Sequence, residues 1–238
     1  MIGCECNVCT STSSFDKRLR VSVLIEIDGK NIVIDTGPDF RYQMLRAKVK
    51  HLEAILITHE HKDHVAGLDD VRAFNYLQKK EMNVYAHKRV HGSLEREFHY
   101  AFADFKYPGV PLIKLNEIQN VPFLVDGVEI VPIEVMHHLL PVLGFRIGDF
   151  TYITDAKSIS DIEKEKIKGT QVLVINALQK QGHISHFTLE EAINFAREMK
   201  AEKTYFTHIS HRMGKHSDIS QELPEGVALA YDNLVIEL

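Results

Sequence analysis

The sequence predicts an α/β fold in which two β-sheets lie between outer layers of helices, a four-layer αββα sandwich. Three observations indicate this fold. β-rich runs open the chain, apolar strands then alternate with helical segments, and a similar alternation returns in the second half. Strands that alternate with helices are typical of sheets covered by helices. Because no linker, repeat or low-complexity tract divides the 238 residues, we expect a single domain over 1–238.

The first two strands form a predicted hairpin. Residues 21–27 (VSVLIEI) and 31–35 (NIVID) are β-rich, and Asp28 and Gly29 between them are a strong signal for a two-residue turn. Residues 54–58 (AILIT) are a short apolar run, which favours a buried strand.

Helices and strands then alternate to the end of the chain. The segment after His64 is predicted to be helical through about Leu77, because its apolar residues recur on one helical stripe. The later predicted strands are MNVYAH, 121–135, 142–154, QVLVINAL and KTYFTHI, and the later predicted helices are VHGSLEREFHYAF, ISDIEKEKIKG and TLEEAINFAREMKA.

The charge and hydropathy of the sequence limit the classes of partner that we expect for the chain. The 28 basic and 33 acidic residues are evenly mixed, with a net charge of −5. The sequence therefore shows no basic face of the kind that binds nucleic acid. A small anionic substrate fits this composition. No apolar stretch reaches the roughly 18–20 residues of a membrane span, and no export signal is visible. We therefore expect a cytoplasmic protein that does not enter a membrane.

The segment LITHEHKDHVAGL, residues 56–68, indicates a metal site. His59, His61, Asp63 and His64 follow directly on the apolar strand, at the edge where α/β sheets place their chemistry. Neutral imidazoles are good ligands for zinc and other transition ions, and a carboxylate adds charge. A loop with several solvated histidines is the plain alternative, but the density of one ligand type favours metal binding.

Further ligand candidates stand where later strands end. His137 and His138 close one strand, Asp155 another, and His208 and His211 a third. A single histidine at such a place would often be incidental. The repeated placement, in a chain with 14 histidines, favours a site completed from several strand ends.

The three cysteines lie together near the start of the chain. Cys4, Cys6 and Cys9 form a tight turn over residues 4–9, too close for a disulfide framework and one ligand short of a tetrahedral zinc site. His211 is available as the fourth ligand, which would give a structural zinc. Reduced structural cysteines, or a Cys6/Cys9 redox pair, are the alternatives.

These motifs resemble those of the metallo-β-lactamase superfamily, whose signature motif is His-x-His-x-Asp-His. The resemblance spans nearly the whole chain and implies two divalent ions, zinc or manganese, with Asp155 bridging them. His138 is preferred to His137 because relatives place this ligand six residues before the glycine that is here Gly144. The implied ligands are His59, His61 and His138 for one ion, and Asp63, His64 and His208 for the other. Asp35 matches an aspartate that orients a ligand histidine.

One branch is matched in more detail, the PhnP-type cyclic phosphodiesterases. That branch is similar in the cysteine turn and in the last histidine of THISH, and further similarity runs through GLDDVRAFN, LPVLGFRI, SHFTLEEA and LPEGVALAYDNLVI. By this resemblance His186 is the active-site histidine outside the metal ligands, with His183 as a weaker competitor. Relatives begin with a strand and a glycine-rich loop, whereas here Met1 is three residues before Cys4. Either the family's first strand is lacking, which we expect, or the start was set downstream of the true one. An uncovered sheet edge would invite association, so a homodimer is possible.

The resemblance implies hydrolysis of a small phosphodiester, cyclic or nucleotide-like, by a two-metal centre. His186 and Asp63 are the expected catalytic residues, and Arg72 is a candidate to meet a phosphoryl oxygen. A tRNA 3′-processing endonuclease is the enzyme alternative. A non-catalytic metal-binding protein, like the pyrroloquinoline quinone biosynthesis relatives, is the alternative from another class. β-Lactam or thioester hydrolysis is less favoured.

Overall fold

The computed structural model describes residues 1–238 and contains two β-sheets, each in its own compact unit. Residues Arg20–Val121 form the five-strand unit. Met1–Leu19 and Pro122–Leu238 form the seven-strand unit. The predicted α/β fold with two sheets is confirmed, while the single domain over 1–238 stays a prediction.

The five-strand unit has a mixed sheet in the order β1-β2-β3-β4-β5. Its first pair is antiparallel and the other pairs are parallel. The strands are β1 (Val23–Ile27), β2 (Lys30–Ile34), β3 (Ala54–Leu56), β4 (Met82–His87) and β5 (Ile113–Ile118). The helices are α1 (Phe40–Arg46), α2 (Lys62–Val65), α3 (Arg72–Gln78), α4 (Lys88–Glu97) and α5 (His99–Phe102), with a 3₁₀ turn at Leu68–Val71.

The predicted hairpin is present, and the backbone conformation of its turn residues accounts for it. Ile27 pairs with Lys30, so Asp28 and Gly29 are the two turn residues, with φ values of 49° and 72°. Positive φ at both positions gives the twist that joins two antiparallel strands tightly. The hairpin therefore follows from two residues that tolerate this backbone conformation.

The predicted continuous helix after His64 is wrong. The segment is divided into α2, the 3₁₀ turn and α3. The break lies at Gly67, whose N–H donates to the Thr36 carbonyl at 2.8 Å. A Cβ at Gly67 would lie 2.2 Å from the carbonyl oxygen of Gly37. The close approach of these two loop backbones, rather than helix propensity, decides where the helix stops.

The seven-strand unit has a mixed sheet in the order β12-β11-β10-β9-β8-β7-β6. The strands from β9 to β12 are parallel, and those from β6 to β9 are antiparallel neighbours. They are β6 (Phe123–Val125), β7 (Val128–His137), β8 (Leu140–Ile147), β9 (Phe150–Ile153), β10 (Val172–Asn176), β11 (Lys203–Thr207) and β12 (Val227–Leu229). The helices are α6 (Asp161–Ile167), α7 (Leu189–Met199) and α8 (His216–Ser220), with a 3₁₀ turn at Ser14–Asp16.

Helix α7 begins at a capping box. The Thr188 hydroxyl accepts the N–H of Glu191, and the Glu191 carboxylate accepts the N–H of Thr188. This reciprocal pair satisfies two of the free N–H groups at a helix start. It fixes the point at which the loop carrying His186 enters the helix.

Each unit has its own hydrophobic core. In the five-strand unit the fully buried residues include Leu52, Ile55 and Val90, and in the seven-strand unit they include Ile153 and Phe206. No helix in the chain is both long enough and apolar enough to cross a membrane. The cytoplasmic location stays a prediction.

We expect Gly67→Ala to lower the free energy of unfolding by about 1–3 kcal/mol, because overpacking forces the surrounding backbone to shift. Its Cβ would meet the Gly37 carbonyl at 2.2 Å and the Phe40 Cβ at 2.9 Å. Urea unfolding followed by circular dichroism measures the change. Gly92→Ala is the control, since its nearest atom lies 3.5 Å away and a helical alanine stabilises by about 0.5–1 kcal/mol. Unchanged stability of the Gly67 variant would contradict the close approach.

Candidate metal centre

The first cluster consists of His59, His61, Asp63 and His64, just beyond the end of β3 in the five-strand unit. His59 and His64 are fully buried, whereas His61 is exposed. The Nε2 of His59 lies 2.9 Å from the Nδ1 of His61, so two ring nitrogens face each other. Such a pair can bind one cation in place of a shared proton.

Asp35 orients the buried histidines of this cluster. Its Oδ2 lies 2.7 Å from the Nδ1 of His64, and the same oxygen accepts the hydroxyl of Thr58 at 2.8 Å. That hydroxyl lies 3.0 Å from the Nδ1 of His59. A carboxylate at Nδ1 fixes the proton there and leaves the lone pair at Nε2 for a metal. The sequence pointed to Asp35 but not to Thr58, which only its contacts reveal.

The loop of the first cluster is also tied to its surroundings. Arg89 donates from Nε to the Glu60 carboxylate at 2.9 Å, which joins the loop to α4. The Thr36 N–H donates to the His64 carbonyl at 2.7 Å. These contacts hold the histidine and aspartate side chains of the loop in place, which would lower the cost of binding an ion.

The second cluster consists of His137, Asp155, His186 and His208 in the seven-strand unit. His137, Asp155 and His208 lie at or just beyond strand ends, and His186 lies in the loop before α7. The buried Asp155 is its centre. Its Oδ2 lies 3.2 Å from the Nε2 of His186, and its Oδ1 lies 3.3 Å from the Nε2 of His208. The Nε2 of His137 lies 3.9 Å from Oδ2. One carboxylate thus presents each of its oxygens to imidazole nitrogens.

Ser185 orients two histidines of the second cluster. Its carbonyl oxygen lies 2.9 Å from the Nδ1 of His137, which leaves Nε2 of that ring facing Asp155. Its hydroxyl lies 3.0 Å from the Nδ1 of His186. His183 joins the group through its Nδ1, 3.1 Å from the Nδ1 of His186. No sequence pattern points to Ser185, because its role depends on the path of the loop.

The structure corrects the choice between the two adjacent histidines of MHH. His137 pairs with Leu140 at the end of the β7–β8 hairpin, so His138 and Leu139 are the turn residues. His138 is exposed, has a φ of 57° and belongs to no group of potential metal ligands. His137 belongs to such a group together with Asp155. His137, and not the predicted His138, is therefore the histidine that the structure places among the potential metal ligands.

Several site residues adopt a left-handed backbone conformation. Asp35, Asp155 and His208 have φ values of 63°, 57° and 52°, and each lies within two residues of a strand end. Non-glycine residues in this region cost about 1–3 kcal/mol and are enriched at functional sites. The chain turns sharply out of the sheet at these positions, which aims the side chains away from the strand.

Burial lowers the pKa of His186 below its ordinary value, while the hydrogen bond to Asp155 acts in the opposite direction. Burial also lowers the pKa of His183. Both shifts favour the neutral imidazole, which carries one N–H and one lone pair.

Arg72 lies at the start of α3, away from both clusters in its contacts. Its Nε is 3.9 Å from the Asp69 carboxylate, and its side chain is 59% exposed. Tyr100 donates its hydroxyl to the same carboxylate. Burial, followed by that hydrogen bond, raises the pKa of Tyr100 to about 12. The structure thus engages Arg72 with Asp69, and its contact with a substrate stays a prediction.

The cysteine cluster, Cys4, Cys6, Cys9 and His211, lies wholly in the seven-strand unit. Its four donor atoms are all within 4.8 Å of one another. The Nδ1 of His211 lies 3.4 Å from the Cys4 sulfur and 3.5 Å from the Cys6 sulfur. The Cys9 N–H, and then His211, lower the pKa of Cys6 to about 6. Three thiols and one imidazole are the donor set of a structural zinc site.

Comparison with known proteins identifies the family. The sequence profile of the β-lactamase superfamily domain matches residues 30–209. A crystal structure of a new diphosphatase from the PhnP family superimposes with a TM-score of 0.92 and 37% identity, covering 98% of this chain and 89% of that one. The chain belongs to the PhnP-type branch of the metallo-β-lactamase superfamily.

Two curated relatives carry different names. An octanoyltransferase of Porphyromonas gingivalis is 41% identical over 236 residues, which is 98% of this chain but 48% of that protein. A ribonuclease Z of Nostoc punctiforme is 26% identical over 138 residues, 56% of this chain and 41% of that protein. The chain therefore spans about half the length, or less, of these relatives.

The donor sets fit the metals that this metallo-β-lactamase superfamily implies. Imidazoles and carboxylates suit zinc and manganese, and the orientation of His64 by Asp35 is the arrangement that ligand histidines have. Membership in the superfamily supports a metal-dependent hydrolase with divalent ions such as zinc.

The two adjacent histidines of MHH give a matched pair of variants. We expect His137→Ala to weaken divalent metal binding by more than about 10-fold, because even a residue that only supports a ligand is worth that much. His138→Ala should bind metal as the unchanged protein does, since its side chain lies in the exposed turn. Equilibrium dialysis against Mn²⁺ measures both. The reverse order of effects would restore the assignment to His138.

For the cysteine cluster, we expect Cys9→Ser to lose zinc and to unfold at a lower temperature, because structural zinc contributes directly to folding. Elemental analysis and a thermal unfolding curve test this. Glu5→Gln, an exposed change in the same turn, is the control and should alter neither. Unchanged zinc content in Cys9→Ser would exclude Cys9 as a ligand.

Proposed function

We propose that the chain is a metal-dependent phosphodiesterase that hydrolyses a small phosphodiester, cyclic or nucleotide-like. The observation that carries the proposal is the second cluster, in which buried Asp155 presents one oxygen to His208 and the other to His186. A carboxylate that uses both oxygens is suited to hold two cations, and an adjacent imidazole outside the ligand set is suited to proton transfer. The name of the PhnP-family diphosphatase adds support for a substrate with a phosphoryl group.

The ligands are assigned by the family pattern, with His137 in the place of His138. By this pattern His59, His61 and His137 would hold one ion and Asp63, His64 and His208 the other, and Asp155 would be shared by both. Zinc and manganese are both compatible with these donors. We propose a third ion, a structural zinc, for the cysteine cluster.

The residues of the chain have separate roles in this reaction. Bound divalent ions supply Lewis acidity and a nucleophile near neutral pH. Asp35 keeps the Nδ1 proton of His64 in place, so the Nε2 lone pair stays available. In its protonated imidazolium form, His186 would donate the proton at its Nε2 to the leaving alkoxide oxygen, which takes the electron pair of the broken P–O bond, and His186 would be left as the neutral imidazole. Ser185 holds the other nitrogen of that ring.

A small substrate is favoured over RNA by the charge of the chain. Its net charge of −5 arises from evenly mixed acidic and basic residues, whereas proteins that grip folded RNA need many phosphate contacts. The ribonuclease Z relatives keep precursor tRNA as the alternative substrate.

A second candidate is hydrolysis of an octanoyl thioester. The observation that favours it is the match of nearly the whole chain to about half of an octanoyltransferase. A nucleophile activated by divalent ions can attack an acyl carbon as well as a phosphorus atom, because both reactions develop negative charge on an oxygen.

One substrate panel separates these functions. The metal-loaded protein is assayed with bis(p-nitrophenyl) phosphate, 2′,3′-cyclic nucleotides, a dinucleoside diphosphate, precursor tRNA and an octanoyl thioester. We expect turnover of the small phosphoesters and little of the last two. Turnover of the thioester alone would favour the second candidate. No turnover of any substrate would favour a non-catalytic metal-binding protein.

In the same assay we expect His186→Ala to lower kcat by about 10²–10⁴-fold, the usual contribution of a positioned proton donor. Metal content should stay unchanged because His186 lies outside the assigned ligands. The control is His99→Ala. His99 lies on α5, distant from His186 in the sequence, and its variant should keep full activity. Loss of metal in His186→Ala would instead make His186 a ligand.

A further inference from the structure

Asn176, the last residue of β10, closes the end of the neighbouring strand β9. The pairing of the two strands stops at Ile153 and Ile175. Beyond that point the chain turns through Asp155 in a left-handed conformation, with a φ of 57°. The backbone N–H and C=O of the next residue, Ala156, therefore lie beyond the sheet ladder, although Ala156 is fully buried.

The side-chain amide of Asn176 bonds both of these backbone groups. The Ala156 N–H donates to its Oδ1 at 2.7 Å, and its Nδ2 donates to the Ala156 carbonyl at 2.9 Å. Asn176 is fully buried. An amide provides a donor and an acceptor in one group, whereas a carboxylate provides only acceptors and an aliphatic side chain provides neither. The position therefore requires an amide for its chemistry, not only for its size.

Two more segments of the second cluster join at the same point. The Phe187 N–H, next to His186, donates to the Ala156 carbonyl at 2.8 Å. The backbone of Asn176 is paired with Thr207 of β11, and the Ala177 N–H donates to the Thr207 carbonyl at 2.9 Å. Thr207 directly precedes His208. A carboxylate oxygen of Asp155 and one ring nitrogen each of His186 and His208 lie within 4.8 Å of one another.

We infer that Asn176 is a positioning residue for the metal centre. Through Ala156, Phe187 and Thr207 it sets the spacing of Asp155, His186 and His208, each of which is one residue away from this clamp. The clamp holds the carboxylate ready for divalent ions, and its loss lets Asp155 and its histidine neighbours move apart. Asn176 itself touches neither metal nor substrate.

The test separates metal positioning from simple loss of stability. Asn176→Asp keeps an acceptor for the Ala156 N–H but removes the donor to its carbonyl, and Asn176→Leu removes both. Thr151→Val is the matched control. It removes a buried hydrogen bond of 3.0 Å, from Thr151 Oγ1 to Thr170 Oγ1, near the opposite end of β9. Mn²⁺ is the probe because the thiolates of the cysteine cluster do not favour it.

We expect Asn176→Asp and Asn176→Leu to bind Mn²⁺ about 10–100-fold more weakly than the unchanged protein in equilibrium dialysis, the usual effect of losing support for a ligand. Thr151→Val should lower the thermal midpoint and keep the Mn²⁺ affinity. Unchanged Mn²⁺ affinity in Asn176→Asp would overturn the inference, and so would an equal loss in Thr151→Val. If Asn176→Leu does not fold, Asn176→Asp decides.

Asn176 acts on the centre of the proposed function, but its role does not depend on the substrate. A protein that binds Mn²⁺ and turns over no phosphoester refutes the proposed function, while the dialysis still decides the role of Asn176. A protein whose histidine clusters bind neither Mn²⁺ nor Zn²⁺ refutes both.

Discussion

Both histidine clusters depend on the same physical constraint, the need to satisfy the backbone where a strand ends inside the protein. In the five-strand unit, Asp35 follows β2 and accepts the N–H of Thr58, next to His59. In the seven-strand unit, Asn176 ends β10 and bonds both backbone groups of Ala156, next to Asp155. In each case a buried polar side chain from one strand end completes the hydrogen bonding of its neighbour. A buried backbone group left without a partner costs about 1–3 kcal/mol, so these positions resist movement.

This constraint explains how flexible side chains become a defined set of potential metal ligands. The left-handed conformations of Asp35, Asp155 and His208 cost free energy, and the hydrogen bonds and packing around them offset that cost. Hydrogen bonds at Nδ1 then choose the tautomer of His64 and His137. The ring nitrogens that remain are those facing the cluster centres. The hydrogen-bonded backbone is rigid at these positions, and the orientation of the side chains follows from that rigidity.

The family and the substrate are decided by different parts of the chain. Proteins with similar sequences carry the names octanoyltransferase, ribonuclease Z and PhnP-family diphosphatase. A shared fold hosts many functions, because the substrate is selected by residues around the site rather than by the ligands themselves. We expect the evenly mixed charge of the chain, the exposed Arg72 and the loop of His183 to His186 to bear on that selection.

The sequence by itself determined the α/β class, the hairpin at Asp28 and Gly29, and the histidine, aspartate and cysteine residues that the structure places in groups of potential metal ligands. Each of these depends on neighbours in the chain, where spacing and residue type are sufficient. Only the tertiary structure decided between His137 and His138, because the register of β7 against β8 determines which of them ends the strand. It also broke the predicted helix at Gly67, where the backbone of Gly37 approaches. The sequence alone also did not reveal the roles of Thr58, Ser185 and Asn176. Their roles consist of hydrogen bonds to residues distant along the chain, and local pattern carries no information about such contacts.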